Sequence, residues 1–221
     1  MAVVHEQPFL IQEEKMKKIF LLSVVAFFTI SSAACAADNI FLPVPQKDGG
    51  KGVFAAIAGR ASAKQSDFEK KDITDAQLSA ILWAATGKNR PDKGWTIPLA
   101  QGMKPYVDVY VLRKDGAYQY YWEKGMLALI VKKNMIGLAG GQNFIETAPC
   151  VLVFVASGSL RVASWADVAA GAMSQNVYLA AESLGLKTRF VQNFNQASLT
   201  NYLNLSPLNR VLCIMPIGYQ K

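Results

Sequence analysis

Residues 59–68 read GRASAKQSDF, and the first six set Arg60, Ser62 and Lys64 at alternate positions. In extended backbone, alternate side chains share one face of the strand. Two cations and a hydroxyl then point the same way, a convergent set of hydrogen-bond donors. The plain reading is a solvated edge. The sharper one is an anion site: a phosphate favours charge-assisted donors, and arginine offers a two-pronged fork. Upstream, KGVFAAIAG (51–59) reads as a short apolar helix that ends near Gly59 and delivers the chain into this strand.

Working outward to the N-terminus, MKKIFLLSVVAFFTISSAACAAD begins at Met16 with a basic start (Lys17, Lys18), an apolar run (Ile19–Ile30) and the small-residue site Ala34-Cys35-Ala36. That is the pattern of a secretory signal peptide cleaved before Ala37, and the run is too short to span a bilayer comfortably. It predicts an N-terminal extension and signal over 1–36, a single domain over 37–221, and an exported, periplasmic protein with no stable membrane insertion after cleavage. A lipid anchor on Cys35 is the weaker option, because Ser32 stands where a lipoprotein signal usually has Leu. The polar stretch before Met16 reads as an over-extended start.

Composition narrows the chemistry. The net charge is +7, and the removed segment's Lys15, Lys17 and Lys18 cancel Glu6, Glu13 and Glu14, so the excess stays with the domain. A moderate positive charge favours anionic ligands. The chain has no long Lys/Arg run and no aromatic-basic ladder, which argues against nucleic acid. Its single histidine, His5, lies upstream of the signal. The domain therefore has no Ser-His or Cys-His nucleophile pair and no His-bearing zinc site. Cys150 and Cys213 sit in apolar runs and read as core thiols, with a disulfide between them as the minor possibility in an exported protein. Hard chemistry here falls to a bound cofactor.

Along the chain, DITDAQLSAILWAATG reads as a helix. Thr74 and Gln77 form a capping box, Ile73 and Leu78 the matching staple, and Leu78, Ile81, Leu82 and Ala85 a buried stripe. KNRPDKGWTIPLAQGMKP reads as a loop and VDVYVLRKDGAYQYYW as a hairpin turning at Lys114-Asp115-Gly116. GMLALIVKKNMIGLAGGQNFIETA reads as helical in parts, broken at its glycines. PCVLVFVAS reads as a strand buried on both faces. SWADVAAGAMSQNVYLAAESLG is a long helix with Ser164 as N-cap and an Ala/Gly-lined face through Val168, Ala172, Met173, Asn176, Leu179, Ala180 and Leu184. That face reads as core packing or as a dimer seam. LKTRFVQNF leads from a strand into a loop, ASLTNYLNL is a short helix and RVLCIMPIGYQ a last strand. There is no dinucleotide fingerprint and no GxxxxGK[ST] loop.

Taken in order, GRASAKQSDF, LSAILWAATGKNR, TIPLAQGMKPYVDVYVL, GGQNFIETAP, SQNVYLAAESLGLKT and the closing PIGY resemble the nitroreductase family of FMN-dependent oxidoreductases, and its short, exported members in particular. The resemblance implies an α+β sandwich with a mostly antiparallel sheet flanked by helices, assembled as an intertwined homodimer with FMN at the interface. The family's Arg-x-Ser-x-Arg/Lys pattern falls on Arg60, Ala61, Ser62 and Lys64 and implies contact with the FMN phosphate, ribityl chain and ring edge. A second element, a loop along the flavin, falls on Pro98, Leu99, Ala100 and Gly102; Leu99 and Gly102 stand where the family has Ser and Asn, removing two polar side chains. A third falls on Phe190, Val191, Gln192 and Asn193, whose backbone N–H groups are implied to face flavin N5 and O4. Many relatives carry a further basic residue past the last strand, and Lys221 is a partial substitute for it.

The activity the resemblance implies is ping-pong hydride transfer through flavin N5, to or from a small organic substrate such as a nitroaromatic or quinone. NAD(P)H is the usual electron donor. It is scarce outside the cytoplasm, so an exported member uses another donor or runs as a substrate dehydrogenase. The rival reading is an exported scaffold on the same fold that has lost FMN; colour separates the two.

Overall fold

The computed structural model describes residues 38–92, 94–99, 104–157 and 163–220, and the fold occupies the unit Ile40–Lys221. In chain order its elements are β1 (Ile40–Phe41), α1 (Val53–Gly59), α2 (Asp75–Thr86), β2 (Lys88–Arg90), β3 (Gly94–Trp95), β4 (Val107–Arg113), β5 (Ala117–Tyr121) and β6 (Met126–Val131). There follow a 3-10 turn (Ile136–Leu138), α3 (Asn143–Glu146), β7 (Cys150–Ala156), α4 (Ala163–Ser183), β8 (Lys187–Thr188), α5 (Gln196–Tyr202) and β9 (Arg210–Gly218).

Seven strands form one sheet in the order β1-β6-β5-β4-β7-β9-β8, and every neighbouring pair is antiparallel. β7 lies inside the sheet, between β4 and β9, with all its residues buried. Its alternation divides the core. Leu152 and Phe154 face α2 and α4, meeting Leu78, Ile81, Leu82, Met173 and Val177. Val151, Val153 and Val155 face the other layer, with Phe144, Ile145, Leu199 and Leu203 from α3, α5 and the chain after α5. Helices cover both faces, so a continuous apolar run can sit in an antiparallel sheet. The architecture is an α+β sandwich.

Several elements match their reading. α2 starts with the capping box: Thr74 Oγ1 accepts the Gln77 N–H at 3.1 Å while Gln77 Oε1 accepts the Thr74 N–H at 3.0 Å. The β4–β5 turn closes where Arg113 N–H donates to the Gly116 carbonyl at 2.8 Å. Cys150 and Cys213 are free and buried, and burial pushes both thiols up to about 12.

Four readings need correction. Met126–Val131 is a strand, not a helix. Gly125 in the left-handed region (φ 56°) permits the tight turn from β5, and pairing along the hairpin then overrides a composition that helices also accept. The 88–105 loop contains a two-stranded ladder, β2 with β3. Ser164 is inside α4, which already begins at Ala163. The buried face of α4 runs through Ala166, Ala169, Ala170, Met173, Val177 and Ala181, whereas Val168 is 69% exposed. Uniformly small residues gave both faces similar hydrophobicity, so the stripe was misplaced by about a quarter-turn.

Candidate functional site

The site starts where α1 ends. The Arg60 N–H closes the last helical turn on the Ala56 carbonyl at 2.9 Å, and the chain then runs extended along the outer edge of β8. Ser62 bridges Thr188 in parallel register, and the Ala63 N–H donates to the Thr188 carbonyl at 2.8 Å. Arg189 donates to the Ala63 carbonyl at 2.8 Å. Ala63 is 1% exposed, while Ser62 and Lys64 are open to solvent and Arg60 is half-buried. Ala61 is exposed rather than packed. The alternation read from GRASAK is present in part: Ala63 turns in while Ser62 and Lys64 turn out, but Ala61 is exposed and Arg60 half-buried.

The far end of this strand is strapped by Gln220. Its Oε1 accepts the Lys64 N–H at 2.7 Å, and its Nε2 donates to the carbonyls of Lys64 at 3.2 Å and Ser66 at 3.0 Å. One side-chain amide therefore supplies the donor and acceptor that a neighbouring strand would have offered. Lys221, Ala100 and Gly102 lie outside the described residues.

Tyr178 of α4 ties two of the predicted elements together. Arg60 lies over its ring, 5.1 Å from the centroid. Its hydroxyl sits 2.9 Å from Ser62 Oγ and accepts the Phe190 N–H at 2.8 Å. The 60–64 strand and the 190–193 segment, far apart in sequence, thus meet on one phenol. Val191 is pinned by reciprocal backbone bonds with Ile214, both 3.0 Å. Gln192 and Asn193 are exposed, and among the described residues their backbone N–H groups have no acceptor. Pro98 is exposed, and Leu99 packs against the apolar cluster that also contains Tyr178. Their loop is tied to α4 one step upstream, where Asn176 donates to the carbonyls of Ala84 at 2.9 Å and Thr96 at 3.0 Å.

Sequence reasoning missed Tyr178. It follows Val177 and lies one turn after Ser174 on the buried face, and the misplaced stripe passed beside it. The available signal was a phenol among Ala, Met and Val, since a buried tyrosine hydroxyl needs a polar partner.

One turn further along α4, Glu182 braces the strand's base. Lys187 and Lys51 donate to its two oxygens at 2.6 and 2.5 Å. A Cβ on Gly59 would lie 2.6 Å from Glu182 Oε1, so any side chain at 59 would have to push the Glu182 carboxylate aside from its lysine partners. Lys187 first, and Lys51 second, hold the Glu182 carboxyl below its ordinary 4.5. A lowered carboxyl stabilises the fold fully above its unfolded value and loses that contribution as pH falls through the folded value. Glu182 is covered by protein but lies shallow, so the pair has the modest worth of a surface ion pair. We expect Glu182→Gln to lower unfolding free energy by about 1 kcal/mol or less at neutral pH. The gap to wild type should close as pH falls below the ordinary 4.5 and through the lowered folded-state value, in urea titrations run at stepwise lower pH. A constant gap would contradict the pairing.

Among the described residues no group of three or more His, Cys, Asp or Glu side chains is placed to hold a metal ion, and no helix is long and apolar enough to cross a membrane.

The nitroreductase family model matches residues 57–219, which takes in the 60–64 strand, Tyr178 and the 190–193 segment. The chain belongs to the nitroreductase family. Members of this family are FMN-dependent oxidoreductases. A Methanocaldococcus jannaschii protein assigned as a nitroreductase is 31% identical over 169 residues, covering 69% of this chain and 84% of that protein. The crystal structure of a Ralstonia eutropha protein assigned as a nitroreductase superposes with a TM-score of 0.76 at 30% identity, covering 83% of this chain and 90% of that one. An FMN-dependent nitroreductase from Clostridium difficile shares the fold at 20% identity and a TM-score of 0.56, covering 76% of this chain and 87% of its own.

Proposed function

We propose that this nitroreductase-family chain binds FMN and works as an exported homodimer. It passes a hydride between a small organic donor and an acceptor such as a nitroaromatic or quinone. The observation that carries the reading is the donor set on the 60–64 strand. A guanidinium, a hydroxyl and an ammonium, with Ser62 and Lys64 open to solvent, fit the chemistry of a phosphate monoester.

Arg60 and Lys64 would neutralise the phosphate, and Ser62 would donate to it. The Phe190 N–H is occupied by Tyr178 and the Val191 N–H by Ile214. That leaves the backbone N–H groups of Gln192 and Asn193 to face the ring edge. When bound, FMN supplies the two-electron hydride chemistry that these side chains lack. The chain's part is to hold the ring, orient it and place those donors where negative charge develops. Leu99 would contribute apolar contact rather than a hydrogen bond, consistent with its packing on the core.

The test is anaerobic addition of NADH and of NADPH to the FMN-loaded protein. We expect the visible flavin band to bleach with at least one of them. A band that neither removes, but that dithionite does, would overturn nicotinamide as the donor and leave another electron donor or substrate dehydrogenation.

A further inference from the structure

We propose that Tyr178 is a positioning residue that presents Ser62 as an obligate hydrogen-bond donor to the phosphate and couples that end of the site to the 190–193 segment at the ring end. This rests on the flavin reading above.

The direction of the hydrogen bonds carries the argument. The Phe190 N–H can only donate, and it donates to the Tyr178 oxygen at 2.8 Å. The phenol keeps one proton of its own. Among the described residues, the acceptor within reach of that proton is Ser62 Oγ, at 2.9 Å. Tyr178 therefore donates to Ser62, and the Ser62 proton is left to point outward, where the residue is exposed. The chain runs in one sense: Phe190 N–H to Tyr178 O–H to Ser62 O–H to the ligand. Successive donors polarise one another, which strengthens the terminal bond. An anion is the ligand that such a terminus selects.

Two further features fit. The Arg60 guanidinium stands over the same ring, 5.1 Å from its centroid, so one side chain aligns both the cation and the hydroxyl of the donor set. Tyr178 is 8% exposed and carried by a rigid 21-residue helix.

The experiment compares FMN with riboflavin, which lacks the phosphate, by quenching of flavin fluorescence on the full chain. Tyr178→Phe keeps the ring under Arg60 and removes only the hydroxyl. Both its contacts, to Ser62 and to the Phe190 N–H, are lost, so we expect FMN affinity to fall about tenfold and riboflavin affinity by clearly less, narrowing the preference for FMN. Ser62→Ala should give a similar loss, and the double variant little more than either alone, because the two groups act as one chain. A merely structural role for Tyr178 would weaken both flavins equally and leave their ratio unmoved. An unchanged FMN-to-riboflavin ratio in Tyr178→Phe, with wild type preferring FMN, overturns the proposal and leaves the flavin reading standing. Wild type with no preference for FMN overturns both. Should Tyr178→Phe not fold, amide hydrogen exchange at Phe190 in Ser62→Ala decides: faster exchange than in wild type supports the chain, and equal exchange overturns it.

Discussion

Replacing Arg60 and Lys64 together by alanine is expected to lower FMN affinity by at least about a hundredfold, because two charge-assisted contacts to a phosphate are lost at once. Arg60 is half-buried and braced over Tyr178, so it should account for the larger share. Lys64 is exposed, and its share should shrink as salt rises. Riboflavin affinity should change little, which separates a phosphate site from a general weakening of the pocket. Fluorescence titration with both flavins, at low and at physiological salt, reads all three outcomes. Equal losses for both flavins would move the phosphate elsewhere. Thermal unfolding should barely respond, since both side chains are near the surface.

The largest effect on stability is expected in the interior of the sheet. Phe154 is 0% exposed on β7, between α2 and α4. Phe154→Ala removes a ring from a layer that cannot collapse onto the gap, and should cost about 3–5 kcal/mol in urea unfolding. That is a large fraction of a typical domain's stability. Val168→Ala, on the exposed side of α4, serves as control and should stay within about 0.5 kcal/mol. A loss below about 1 kcal/mol at Phe154 would mean that β7 does not run between two helical layers.

These two predictions draw on parts of the chain that differed in how legible they were. CVLVFVA declared itself as a strand because a short, fully apolar run with a valine at every second position has few other places to go. Thr74 and Gln77 marked the start of α2 through a local, two-residue geometry that needs no tertiary context. GRASAK gave its alternation for the same reason: period two is a property of the backbone. MLALIV did not give itself away, because Met, Leu and Ala suit a helix in isolation and only pairing with β5 makes them a strand. The face of α4 was obscured by its alanines, which are nearly as content outside as inside. The Tyr178 cluster was the least legible. It depends on a strand, a helix and a loop meeting at one oxygen, and no spacing within any of them encodes the meeting. The resemblance to a family named the two segments, and the fold supplied the residue that joins them.

The resulting picture puts little catalytic burden on side chains. The buried thiols are held protonated, and the only histidine lies at position 5, outside the described residues. What the described residues offer is a rigid sheet, a cationic edge, an oriented hydroxyl and two backbone N–H groups without acceptors. Such a set can bind and orient a redox cofactor, and it has little to contribute without one.

The most direct measurement is the visible spectrum of the purified chain after incubation with FMN and removal of free flavin on a desalting column. The account predicts a yellow protein with the bands of oxidised flavin, displaced in shape from those of FMN in buffer. A colourless eluate, with all the flavin in the low-molecular-mass fraction, would contradict it.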